Sequence, residues 1–296
     1  MVRIEGIIAS SKKHPLSFEQ EGKLNDYKEF LKKGLLKIAE AFIGKPIWVR
    51  TSDIRSDEYS NLEGAPKEIE KNPMLGDHGI RFSLKHPEIL KAELRAIKEL
   101  SEKGHKFGVM FPQVISVDEV RQAKKIFKEL NMNKVTFGIM IETPAAVVII
   151  KDLCEVGLDF VSFGTNDLTQ YTLAIDRGNE KVQNIYDEMN PAVLKQISKV
   201  IRECRTHKIE TSICGQGSLK PEIIGSGSSV SNGLRRGVVV DMEETIQSVH
   251  NAVQRAEAMA GTQIRRAYLA VNGLHINTQT SRGVIAVSRA DNEISR

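Results

Sequence analysis

The sequence predicts an α/β protein whose main part is a series of parallel strand–helix units of the (β/α) barrel type. Three short apolar runs carry that expectation, residues 137–141, 159–164 and 210–214, with helix-length segments between them. Apolar strands alternating with helices are the pattern of a parallel sheet covered by its crossover helices. The second observation is where the polar residues fall. The runs end in groups able to do chemistry, Glu142, then Asn166 and Asp167, then Cys214. In a barrel, functional groups sit at the carboxyl ends of the strands.

The elements follow in order. Residues 1–8 read as a first strand, and a polar turn with His14-Pro15 leads to an amphipathic helix over about 19–42. Residues 45–53 form a second strand with Arg50 at its carboxyl end. The loop over 54–78 has a length that usually signals function. Residues 87–103 are a helix with Pro87 in its first turn, 107–114 a strand, and 117–130 a helix. Helices near 145–156 and 191–207 accompany the three central strands, so that six strands alternate with helices. Near residue 222 the character changes. The run 223–233 is rich in Gly and Ser, and no lysine follows Lys220. A short strand (238–240), a helix over 243–259 capped by Asp241, a strand (266–271) and a hairpin across 278–287 make a small α+β piece. The domains expected are therefore 1–222 and 223–296.

Composition narrows the class. A chain of 296 residues accommodates one large α/β domain or two smaller ones. The net charge of +4 is small, and the basic residues are scattered, which argues against a nucleic-acid partner. No apolar run reaches membrane-spanning length and no signal peptide is evident, so no membrane partner is expected and the cytoplasm is the expected compartment. The three cysteines show no metal-ligand spacing, and their odd number fits a reducing compartment.

Glu142 and Asp167 follow neighbouring strands. Two carboxylates, with the other positions filled by water and phosphate, are the usual arrangement for Mg²⁺. Either acid alone reads as a helix cap or a solvent-facing group, but the pair, one member inside Gly-Thr-Asn-Asp, reads as a metal site. Arg3 and Arg50 stand at strand ends, where a guanidinium holds phosphate or carboxylate in bidentate fashion. Arg3 taken alone would be an ordinary surface residue. Cys214, before Gly-Gln-Gly, is a candidate acid or base because a thiol titrates not far above neutral pH. Cys154 and Cys204 fall within helical patterns and read as packing residues. His14, His86, His105 and His207 show no partner spacing.

Together these segments resemble the PEP-utilising enzymes, and most closely the phosphoenolpyruvate synthases. The resemblance rests on Arg3-Ile-Glu5, Val49-Arg50-Thr-Ser-Asp53 with Glu58-Tyr59 and Asn61-Leu-Glu-Gly64, and Asn72-Pro-Met-Leu-Gly76. It continues through Ile141-Glu142-Thr-Pro-Ala-Ala146, Phe163-Gly-Thr-Asn166-Asp167-Leu-Thr-Gln-Tyr171, Asp176-Arg177 and Cys214-Gly-Gln216, in the family's order. It implies an incomplete (β/α)8 TIM-type barrel and a phosphotransferase that moves a phosphoryl group from phosphohistidine on a separate domain to the pyruvate enolate. Glu142 and Asp167 would hold Mg²⁺. Arg3 and Arg50 would neutralise the transferring phosphoryl, Asn166 would add a hydrogen bond, Arg177 would act near the substrate carboxylate, and Cys214 would exchange the methyl proton. Pyruvate phosphate dikinase and enzyme I of the sugar phosphotransferase system are alternative relatives, differing in the phosphoryl donor.

The chain departs from that family in three ways. Asp77-His78 stands where Trp-Arg is expected, so His78 would serve the phosphate site with a charge that depends on pH, with Arg81 nearby. One strand before Arg3 and one after Cys214 are missing from the eight, leaving a gap with unpaired edges, whose closure by a homodimer or by the tail is left open. The ATP-binding and phosphohistidine domains lie outside the chain. The tail, through Ile224-Gly-Ser-Gly227, Gly233 to Asp241, Ala256-Glu-Ala-Met-Ala-Gly261 and Val271-Asn-Gly-Leu-His275, resembles the cell-division protein FtsA, with His275 structural and the junction near 219–224. An inactive chimaeric or truncated product, or an interaction module acting through the tail, is the competing expectation.

Overall fold

A computed structural model describes residues 1–214, 228–230, 232–235, 238–239 and 241–260. The chain divides into two compact units, Met1–Leu219 and Lys220–Arg296.

In the first unit, six strands lie in one sheet in chain order, every neighbouring pair parallel. They are β1 (Val2–Arg3), β2 (Ile47–Arg50), β3 (Phe107–Phe111), β4 (Thr136–Ile141), β5 (Phe160–Gly164) and β6 (Glu210–Cys214). Between them run α1 (Glu5–Ser10), α2 (Pro15–Gln20), α3 (Leu24–Ala41), α4 (Ile80–Lys85), α5 (Pro87–Glu102), α6 (Val117–Glu129), α7 (Pro144–Val148), α8 (Ile150–Glu155), α9 (Thr165–Leu173) and α10 (Pro191–Thr206). This is the α/β arrangement of an incomplete (β/α) barrel, with β1 and β6 as its edges.

The inner strands, β2 to β5, form because both of their faces are buried. On one face Val109, Phe111, Phe137, Ile139, Ile141, Val161 and Phe163 join the helices in the main core. On the other, Met110, Met140 and Phe160 make a smaller cluster with Trp48. Alternate residues point to opposite faces of a strand, so two clusters are what these sequences dictate. Helix starts are encoded locally. Ser116 and Glu119 form a reciprocal capping box on α6, and Asn190 caps α10, with its Oδ1 accepting from the Ala192 N–H at 2.9 Å.

Several expected boundaries are corrected. The first strand is only Val2–Arg3, because Ile4 and Ile8 bury at helical spacing and the chain turns into α1. The expected helix over 19–42 is two helices. Gly22 (φ +68°) closes α2, with Lys23 N–H donating to the Phe18 carbonyl (2.8 Å) and Gly22 N–H to the Glu19 carbonyl (3.1 Å). Strand β3 stops at Phe111 rather than 114, since Pro112 has no N–H to give the ladder and Gln113 is left-handed (φ +61°). The helix expected near 145–156 is divided at Ile149, and α4 and α9 were not anticipated.

The second unit contains an antiparallel pair, β7 (Leu234–Arg235) with β8 (Val238–Val239), and α11 (Met242–Ala260). Asp241 caps α11, accepting from the Glu244 N–H at 2.9 Å, as its place in the sequence predicts. The strand expected at 266–271, the hairpin at 278–287 and His275 lie outside the described residues. Among the described residues no helix is long and apolar enough to cross a membrane.

Candidate functional site

Because all six strands run the same way, their carboxyl ends share one rim. Arg3 ends β1, Arg50 ends β2, Gln113 lies just past β3, Glu142 follows β4, Asp167 stands in the first turn of α9 directly after β5, and Cys214 ends β6.

Glu142 and Asp167 are 1% and 9% exposed. The Gln113 backbone N–H donates to Glu142 Oε2 at 3.0 Å. Its amide Nε2 lies 3.5 Å from that same oxygen and 3.4 Å from Asp167 Oδ2, so the two oxygens are no more than 6.9 Å, the sum, apart. Burial, then the negative charge of Asp167 and Asp53, pushes the Glu142 carboxyl up to about 8, against the pull of Arg50 and the Gln113 N–H. Two buried acids facing one point make a hard-oxygen donor set that a small divalent cation would relieve. Among the described residues no group of three or more His, Cys, Asp or Glu side chains is arranged to hold an ion. Gly164 is required beside them, since a Cβ there would overlap the Glu142 side chain.

Arg50 is 4% exposed and locked in place. Nη2 donates to Glu5 Oε1 and Nη1 meets Asp53 Oδ2, each at 2.9 Å, and the Asp53 N–H also donates to Glu5 Oε1 at 2.7 Å. Arg50 Nε and Glu5 Oε2 are buried with no partner. His78 lies behind Asp53, with Nδ1 2.6 Å from Asp53 Oδ1 and Nε2 2.9 Å from the Met74 carbonyl. A carbonyl only accepts, and an ionised carboxylate only accepts, so both ring nitrogens donate and His78 is an imidazolium. Burial pulls the ring down, but Asp53 overrides it and holds His78 above its ordinary value. Burial likewise raises Asp53, yet Arg50 and then His78 bring it down to about 2.

The Met74 carbonyl joins the two halves of the site. It accepts from His78 and, at 2.6 Å, from the Tyr171 hydroxyl, which is also 2.9 Å from Gln113 Oε1. A chain of close polar contacts therefore runs from the carboxylates through Gln113, Tyr171, Met74, His78 and Asp53 to Arg50, with the single Tyr171 proton shared between two acceptors.

Arg177, half-buried, lies 3.4 Å from Asp167 Oδ1 through Nη2. With the Asn166 amide turned to the orientation that satisfies both of its ends, its oxygen accepts from Arg177 Nη1 at 3.2 Å and its nitrogen donates to Glu188 Oε1 at 2.9 Å. Cys214 pairs in register with Gly164, one strand from Asp167. Burial pushes its thiol up, opposed by Arg3 and Arg50 and reinforced by Glu142. Arg3 is at the opposite edge of the sheet from Cys214.

The family model for the PEP-binding domain of PEP-utilising enzymes matches residues 1–234. This chain belongs to that family. It is 49% identical over 228 residues to the phosphoenolpyruvate synthase of Pyrococcus furiosus, covering 75% of this chain and 28% of that protein. It is 43% identical over 280 residues to a probable phosphoenolpyruvate synthase of Methanocaldococcus jannaschii, covering 91% and 23%. It is also 43% identical over 189 residues to the phosphoenolpyruvate-protein phosphotransferase of Buchnera aphidicola, covering 60% and 32%. The chain thus spans 23–32% of the length of these three relatives. The family match runs to residue 234, past the junction expected at 219–224.

Within this PEP-binding domain, the structure brings Arg50, Glu142, Asn166, Asp167, Arg177 and Cys214 to one rim, with Arg3 exposed at its edge. It places His78 behind that rim, 1% exposed, with both nitrogens engaged inside the protein. Arg81 donates to the Gly76 carbonyl at 2.9 Å. Sequence reasoning did not single out Gln113, Glu5, Asp53 or Tyr171. The signal for Gln113 was a Phe-Pro-Gln step at the end of an apolar strand. Glu5, Asp53 and Tyr171 lay inside recognised motifs without an assigned role. A cavity of about 490 Å³ opens among the amino ends of the strands, lined by Trp48, Phe107, Thr136 and Phe160, and holds none of the rim side chains.

Proposed function

We propose that this rim transfers a phosphoryl group between phosphohistidine and the enolate of pyruvate, the reaction type of a phosphoenolpyruvate synthase. The observation that carries the reading is the convergence of Glu142 and Asp167 on Gln113, on the same strand-end rim as the fixed guanidinium of Arg50. Glu142 and Asp167 would hold Mg²⁺. Bound there, the ion would polarise the pyruvate carbonyl and so acidify its methyl group.

The protein's own side chains supply the rest. Arg50 cannot swing, because Glu5 and Asp53 hold it, and it sets a fixed positive charge beside the transferring phosphoryl group. Arg3 adds charge from the open side. Arg177, positioned by Asn166 and Asp167, orients the substrate carboxylate. In the direction of phosphoenolpyruvate synthesis, the Cys214 thiolate takes a proton from the methyl carbon. The enolate oxygen then bonds to phosphorus, and the P–N bond breaks to release imidazole. Burial raises the Cys214 thiol and so makes its thiolate a stronger base. The Buchnera relative is named for transfer to a protein, and the same rim suits either donor chemistry.

Exchange of the pyruvate methyl protons in deuterium oxide, followed by proton NMR with Mg²⁺ present, tests the reading. Exchange by the native chain and its loss in Cys214→Ala are expected. Equal exchange by the variant would remove Cys214 from the reaction.

A further inference from the structure

We propose that Gln113 is a third protein ligand of the divalent cation, through its amide oxygen, and that Tyr171 positions it for that role. The inference rests on reading Glu142 and Asp167 as cation ligands, and on proton bookkeeping around one side chain. Gln113 is 0% exposed, and its left-handed backbone (φ +61°) is braced by Gly79, where a Cβ would come within 2.9 Å of Gln113 Cβ. Non-glycine residues held in that region cluster at functional sites, where the surroundings over-determine them.

Without a cation, the amide nitrogen faces the two carboxylates, which suits their charge. The opposite end then faces the Tyr171 hydroxyl, 2.9 Å from Gln113 Oε1 and 2.6 Å from the Met74 carbonyl oxygen. Both neighbours are acceptors, and a phenol has one proton to give. One of the two contacts is therefore left as oxygen against oxygen. Turning the amide by half a rotation resolves the conflict. Nε2 then donates to the Tyr171 oxygen, Tyr171 donates to Met74, and Oε1 points between Glu142 and Asp167. An amide oxygen there repels two bare carboxylates and is a good ligand once a hard cation lies between them. Binding of the ion relieves the conflict, so the amide turns with binding.

Mn²⁺ binding to the full chain, read from the electron paramagnetic resonance of the free ion, tests this without measuring turnover. Gln113→Leu removes the ligand and is expected to weaken binding about 10- to 100-fold, the range for losing a group that supports a metal site. Gln113→Glu keeps an oxygen and loses the N–H donor, and is expected to retain Mn²⁺. Native-like binding by Gln113→Leu overturns the proposal. Equal weakening in both variants also overturns it, because the amide would then act only as a donor that holds the carboxylates. If Gln113→Leu fails to fold, Gln113→Glu still decides, by retaining or losing the ion. Glu142→Gln separates the two levels: its native-like binding would sink the carboxylate reading itself, whereas its loss of binding beside a native-like Gln113→Leu sinks only the third ligand.

Discussion

His78 Nδ1 and Asp53 Oδ1 are 2.6 Å apart, and that bond makes a buried histidine part of the arginine site. A group whose charged form is favoured on folding stabilises the protein fully where it is charged in both states, and progressively less between its unfolded and folded pKa values. His78 is held above its ordinary 6.5, so its contribution is complete below that pH and is lost as pH rises through the higher folded value. Asp53, brought down to about 2, contributes above its ordinary 3.8 and loses that only as pH falls through about 2. Denaturant unfolding from about pH 6 to about pH 9 is expected to show stability falling in the native chain, with a flatter profile in His78→Gln.

Arg50→Lys is expected to be far from conservative. A lysine offers one ammonium where the guanidinium fork reaches Glu5 and Asp53 in two directions. Breaking a buried pair of this kind costs about 3–5 kcal/mol, and chemical unfolding of Arg50→Lys is expected to show a loss approaching that range.

Gly79→Ala places a side chain on a backbone at φ +63° and against Gln113 Cβ and the Pro112 carbonyl. Backbone strain of this kind costs on the order of 1–3 kcal/mol. A stability loss of at least that size, together with weaker Mn²⁺ binding as Gln113 is displaced, is the expected outcome.

Gly164→Ala acts on the other carboxylate wall. The new methyl would overlap the Glu142 side chain, so the carboxylate must move. Overpacking of a buried position costs about 1–3 kcal/mol. Binding of Mn²⁺ is expected to fall by more than stability alone explains, with melting and ion titration measured on one preparation.

The barrel-type sheet was legible because its inner strands, β2 to β5, are short, largely apolar runs that stop at polar residues. Glu142, Asp167 and Cys214 were legible for the same reason, standing at or just after strand ends. Glu5 was read as part of a strand because Ile4, Ile7 and Ile8 look like one, while the burial of Ile4 and Ile8 follows a helical period. Gln113 was hidden because its importance comes from a left-handed backbone and from partners 29 and 54 residues away. His78 read as a substitute phosphate ligand. Its engagement by Asp53, 25 residues distant, is a tertiary fact that no local pattern carries.

Calorimetric titration with oxalate, which mimics the pyruvate enolate, tests the carboxylate site most directly. With Mg²⁺ present the native chain is expected to bind oxalate, without Mg²⁺ it is expected not to, and Glu142→Gln and Asp167→Asn are expected to abolish binding. Equal binding of oxalate with and without the ion, or retention of ion-dependent binding in both variants, would contradict the assignment of Glu142 and Asp167.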